Sequence, residues 1–298
     1  MAADLTGTPP NSTRGLERAL GDRVRARVPH ALAEFIMFVL KQGWACLFGA
    51  LLLLGLILTD AIWSPDWTIT RYDAMFAYAI GIQAAFLACR LETWREVRVI
   101  ALFHLTGTAM ELFKVNAGSW AYPEPALLKL WGVPLFSGFM YAAVGSYMAR
   151  VIRIFEMRFA PYPPFWLTIC LAVAIYVNFF AHHYLPDIRL FLFVATILLF
   201  WRTRIWFRIG ESDYWMPLPV AAFLSSFFLW IAENVGTGTG TWIYSGTTQL
   251  DWVSFAKMGS WYLLLYVSFV TVTLVYRDAL SPTSLKGTRA TSIPRSGE

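Results

Sequence analysis

Eight apolar stretches divide this 298-residue chain, at about 43–62, 73–90, 97–113, 133–152, 165–184, 188–207, 217–235 and 258–276. Polar or Pro/Gly-rich breaks separate them. Each approaches the roughly 20 residues that a helix needs to cross about 30 Å of hydrocarbon. A water-soluble globule fails on charge, because 57% of the residues are hydrophobic and 14% charged, where a soluble surface takes about a quarter. The expected fold class is all-α, a polytopic membrane bundle of eight transmembrane helices. Trp, Tyr and Phe make up 17% of the chain, enough to furnish aromatic belts at the headgroup level. The third stretch is the shortest, and it carries His104 and Glu111.

Charge then orients the bundle. Nineteen of the 24 Lys and Arg fall on one side of the alternating connections, and Arg71, Lys114, Lys129, Arg189 and Lys257 fall on the other. The positive-inside rule places the rich side in the cytoplasm, with both termini there, in a bacterial inner membrane. Residues 1–40 read as a cytoplasmic segment, disordered over 1–13 and with an amphipathic helix over 14–28 that lies on an anionic leaflet. No cleavable signal peptide is expected. Residues 41–277 form the membrane domain, and 278–298 a disordered cytoplasmic tail. Cys46, Cys89 and Cys170 read as buried thiols. Nucleic acid is not an expected partner, and oligomeric state is not legible.

An internal repeat carries the polar residues. Glu111 is followed by Gly118-Ser119-Trp120-Ala121-Tyr122, and Glu233 by Gly240-Thr241-Trp242-Ile243-Tyr244. Both read E-x6-G-[ST]-W-x-Y. Gly138 to Tyr141 similarly resembles Gly259 to Tyr262. In each copy the motif leaves a helix that rises from the cytoplasm, so the repeat is parallel, with halves at about 41–155 and 160–277. The run from Gly236 to Thr241 reads as a flexible surface loop and matches no phosphate-binding pattern.

Glu111 and Glu233 are the candidate catalytic residues. Membrane carboxylates are costly, and two at matched helix ends suit a pocket where the halves meet. Burial there favours the neutral acid, able to donate a proton. Trp120, Tyr122, Trp242 and Tyr244 supply electron-rich ring faces that stabilise a passing cation. His104, Lys114, Asn116, Tyr141, Asn178, His182 and Asn234 complete the candidate substrate-binding set. This points to acid-catalysed cyclisation, hydration or isomerisation of a membrane lipid of isoprenoid type, with no cofactor. The bland alternative is that each Glu braces its own loop. Two further readings are a zinc hydrolase using His104, His182 and His183, and a small-solute transporter.

The stretches Leu91–Tyr147, Tyr176–Arg189 and IAENVGTGTGTWIY (231–244) resemble an uncharacterised bacterial membrane family, domain of unknown function 817, from about Lys41 to Tyr276. That resemblance implies a multi-span membrane protein and no established activity. Glu111, Gly118, Trp120, Tyr122 and Gly132 to Leu135 more distantly resemble integral membrane carotenoid hydratases and lycopene-cyclase-type proteins. The Pro-x-Glu-Glu signature of the cyclase type is replaced here by Pro123-Glu124-Pro125, which leaves the substrate class open.

Overall fold

The computed structural model describes residues 28–182, 184–210, 212–249 and 251–280. The expected N-terminal amphipathic helix and most of the expected tail lie outside these residues. Helix makes up 66% of them, in nine α-helices. In chain order they are α1 (His30–Ala45), α2 (Leu47–Ile62), α3 (Arg71–Ala88), α4 (Trp94–Asn116) and α5 (Ser137–Ile154). There follow α6 (Phe165–Ala181), α7 (Arg189–Phe200), α8 (Leu218–Gly238) and α9 (Phe255–Val275). A helix therefore occupies each apolar stretch. The additional helix, α1, lies mostly within the segment read as N-terminal and bends by 65° into α2.

Among the described residues two helices, α8 and α9, are long and apolar enough to cross a membrane, and a third span results if the bent pair α1–α2 counts as one. The others fall short for identifiable reasons. α6 has 17 residues and α7 only 12, so α7 rises about 18 Å. α4 has 23 residues but carries Arg95, Glu96, Arg98, Glu111 and Lys114. Large apolar side chains face outward on α8, among them Val220, Phe223 and Phe227, and on α7, with Leu190, Phe191 and Leu198. An exposed apolar surface of that extent is a membrane-protein feature.

Seven short strands occupy the ends of the bundle: β1 (Trp120–Ala121), β2 (Lys129–Leu130), β3 (Val133–Pro134), β4 (Arg158–Ala160), β5 (Arg204–Arg208), β6 (Asp213–Pro217) and β7 (Ile243–Tyr244). β4, β5 and β6 form an antiparallel sheet at one end, in that order. The sixth apolar stretch, expected as one helix over 188–207, is corrected here, because α7 stops at Phe200 and β5 follows. The reason is visible in Arg204-Ile205-Trp206-Phe207-Arg208. Ile205 and Phe207 enter the core, while Arg204, Trp206 and Arg208, which alternate with them, are more exposed, in the two-residue period of a strand.

The main core joins α1, α5, α6, α7 and α9 around Phe155, Phe200, Tyr266 and Phe269. A second cluster at the other end gathers Leu56, Tyr72, Met75, Tyr122, Phe136 and Trp242. The three cysteines are free and exposed, not buried as expected, with Cys46 on the wall of the large cavity. Apolar helix faces turned outward account for the difference.

Candidate functional site

Both motifs close their helices in the same way. At the end of α4, Gly118 N–H donates to Val115 O at 3.0 Å and Ser119 N–H to Lys114 O at 2.9 Å. At the end of α8, Gly240 N–H donates to Thr237 O at 2.9 Å and Thr241 N–H to Gly236 O at 3.0 Å. These are paired Schellman closures. They need a left-handed residue, and Gly118 and Gly240 supply it at φ +70° and +63°. The chain turns back at each glycine, which returns the following Trp and Tyr to the glutamate of the same motif.

Glu111 accepts three hydrogen bonds: Trp120 Nε1 and Tyr122 OH reach Oε2, both at 2.9 Å, and Tyr141 OH of α5 reaches Oε1 at 2.6 Å. Glu233 accepts from Trp242 Nε1 at 2.9 Å and from Tyr244 OH. Glu111 is 2% exposed and Glu233 6%. The copies differ at one point, since Tyr262, the counterpart of Tyr141, meets Tyr266 OH at 3.2 Å instead. Tyr122 and Tyr244 lie in the loops. Burial, reinforced by the neighbouring glutamate, pushes both phenols well above their usual range.

The two motifs are stitched together. β1 and β7 pair antiparallel, Trp120 opposite Tyr244 and Ala121 opposite Ile243. Trp120 and Tyr244 rings meet edge-on at 5.8 Å. Arg71 adds a second clamp. It pairs with Glu124 at 2.6 Å and donates to Thr239 O at 2.9 Å and Leu56 O at 3.1 Å. The Gly236–Thr241 run is thus corrected from a flexible surface loop. Gly236, Thr237, Thr239 and Thr241 are buried, and α8 extends to Gly238, with the Thr237 and Thr239 hydroxyls bonded back to its carbonyls.

Both carboxyls form part of the wall of one cavity of about 1300 Å³, beyond the roughly 300–1,000 Å³ usual for small-molecule sites. Lys114, Trp120, Tyr122, Tyr141, Asn178, His182, Trp242 and Tyr244 share that wall. Three candidates stand elsewhere. His104 packs on Phe139 at 4.8 Å between α4 and α5. Asn116 is exposed and bonds Leu112 O at 2.6 Å. Asn234 braces its own loop through Trp230 O at 2.7 Å and Val253 N–H at 2.9 Å. Helical spacing placed His104 on the face of Glu111, but that face turns toward α5. His183 lies outside the described residues, and among those residues no three His, Cys, Asp or Glu are grouped to hold a metal.

Asn178 ties the α6–α7 turn, accepting from Ile188 N–H at 3.1 Å and donating to Asp187 at 3.2 Å. Partial burial alone would raise the Asp187 carboxyl. Bonds from the Arg189 amide and guanidinium and from Asn178 outweigh it and hold the carboxyl below the usual range. Sequence reasoning missed Arg71, Arg189 and Trp261, whose side chain stands on the cavity wall beside Glu233. Arg71 and Arg189 were visible only as the rare cations of the poorly charged side.

The chain matches the family described as "Protein of unknown function (DUF817)" over residues 34–269. It belongs to this family. An uncharacterised protein of Bacillus subtilis (strain 168), YoaT, is 42% identical over 245 residues, covering 81% of this chain and 91% of its own. No solved structure matches. The family span contains both glutamate motifs, β1, β7 and the whole cavity wall, from Phe38 to Phe269.

Proposed function

We propose that this is an eight-span bacterial membrane protein, built from two parallel halves, that acts on a membrane lipid of isoprenoid type by proton transfer from Glu111 or Glu233. One observation carries the reading: two buried carboxyls from matched motifs share one largely apolar cavity, walled beside them by Trp and Tyr rings. Each acid delivers its proton to a carbon–carbon double bond and leaves a carbocation beside the rings. The resulting carboxylate then takes a proton from the adjacent carbon, which completes an isomerisation or cyclisation. In hydration, water adds to the cation and gives its proton to the carboxylate. The phenols do not prevent this cycle, because a hydroxyl rotates to donate to the carboxylate or accept from the acid.

The topology has its own support. Among the described residues, the contacts between connections join those that an eight-span path leaves on one side. Lys41 reaches Ile154 O and Arg208 O, Arg95 pairs with Asp278, and β4 pairs with β5. On the opposite side Arg71 meets Glu124 and Thr239, and β1 pairs with β7. The register of β1 with β7 favours the twofold, since exchanging each residue for its repeat counterpart turns Trp120–Tyr244 into Trp242–Tyr122. Termini in the cytoplasm follow from the charge asymmetry.

The test replaces each acid while keeping its shape. Glu111→Gln and Glu233→Gln are expressed in a bacterial host, and the lipid extract is profiled by mass spectrometry against the unaltered chain. We expect normal accumulation and a fall of about a hundredfold or more in the product for at least one variant. Normal accumulation with an unchanged extract in both would leave the glutamates as braces for their loops.

A further inference from the structure

The polar end of the cavity gathers positive charge from three helices. Lys114 of α4, Arg189 of α7 and Lys257 of α9 all stand on its wall, with His182 beside them. Lys114 lies near enough to feel the charges of both Lys257 and Arg189, and Lys257 feels Glu233 first and Arg189 second. Their directions are set by other contacts. Lys114 Nζ sits 4.1 Å from the Phe179 ring centre and Lys257 Nζ 3.6 Å from that of Tyr244, while Arg189 donates to Ser260 Oγ at 3.2 Å. Asp187 answers Arg189 at 2.6 Å. Among the described residues, the carboxyls on the wall are Glu111 and Glu233. With both neutral, as acid catalysis requires, this end carries an excess of positive charge.

Like charges held together away from bulk water raise each other's energy, and an anion between them reverses the sign of that interaction. The rest of the cavity offers no such partners. Leu53, Val144, Phe159, Phe207, Leu264 and Phe269 lie along it. A charged end and a long apolar body match an amphiphile.

We propose that the cavity binds a lipid through an anionic headgroup, a phosphate or carboxylate seated among Lys114, Arg189 and Lys257, with its chain laid along the apolar wall. The inference rests on the proposed lipid chemistry and names the substrate class for it. The headgroup contacts lie beside the two glutamates. They therefore position the first carbons of the chain for proton transfer, spending binding energy remote from the reacting bond on orientation.

Full-length protein in detergent is titrated with oleyl phosphate, oleyl alcohol and inorganic phosphate, with binding read by native mass spectrometry. We expect one oleyl phosphate per chain, bound about tenfold or more tightly than oleyl alcohol, the range of charge-assisted hydrogen bonds. Lys257→Gln and Arg189→Gln each reduce that preference. They carry the test because both are only half-buried, whereas Lys114→Gln alters a fully buried site. Equal affinity for the phosphate and the alcohol overturns the proposal, as does a preference unchanged in both variants. Inorganic phosphate binding as tightly as oleyl phosphate overturns it too, by making the ligand a soluble anion. The glutamate variants report proton transfer and these report anion recognition, so the two readings fail separately.

Discussion

A Cβ at Gly236 would lie within the indole of Trp242, whereas at Gly238, half a turn further on, it would meet nothing within 4 Å. The first glycine is there so that the Trp can fold back over the end of α8 and reach Glu233. Gly236→Ala is therefore expected to lower stability by about 1–3 kcal/mol, the usual range for overpacking, and to turn Trp242 away from the carboxyl. Gly238→Ala should be nearly neutral by comparison. Thermal unfolding in detergent, followed by Trp fluorescence, compares the two. A run of alternating Gly and Thr looked like a solvated loop because composition alone does not say which glycine faces a ring. The glutamates are a different case. Their spacing to Gly, Trp and Tyr was readable in both copies, and the hydrogen bonds follow that spacing.

At the level of elements, the β1–β7 ribbon and the Arg71 clamp hold the two motifs to each other. Arg71 is 6% exposed and joins α2, α3, the loop after α4 and the turn after α8. Removing it leaves Glu124, 31% exposed and near Lys129, without the guanidinium, and leaves buried carbonyls at Leu56 and Thr239 without this donor. Arg71→Ala is expected to cost about 1–3 kcal/mol, the range for buried polar groups that lose a partner, and to loosen β7 from β1. Hydrogen exchange at Ile243 and Ser245 would detect that, and unaltered protection would show the ribbon stands alone. Neither element was legible beforehand, since a two-residue strand has no periodicity to read. β5 did have one. Its alternation of Ile205 and Phe207 with Arg204, Trp206 and Arg208 was masked by the apolar helix immediately before it, which ended at Phe200 instead of continuing.

For the whole molecule, the decisive quantity is sidedness. Leu127, 85% exposed in the loop between α4 and α5, is placed outside by the eight-span reading, and Trp215, 48% exposed on β6, inside. With the native cysteines replaced by Ser, Leu127→Cys should react with an impermeant maleimide in intact cells and Trp215→Cys only after lysis. The reverse pattern would invert the topology. Apolar length and Lys/Arg distribution were enough, without coordinates, to set out a helical membrane bundle, a candidate orientation and the duplicated Glu–Gly–Trp–Tyr signature, because each depends on local composition or on fixed spacing along one helix. Tertiary structure decided the rest. It brought residues 120 and 244 side by side, turned His104 toward α5, converged three cations from separate helices on one end of a cavity, and made Arg71 the junction of four segments. Those relations join positions as much as 170 residues apart, and no local pattern encodes which distant surfaces will pack.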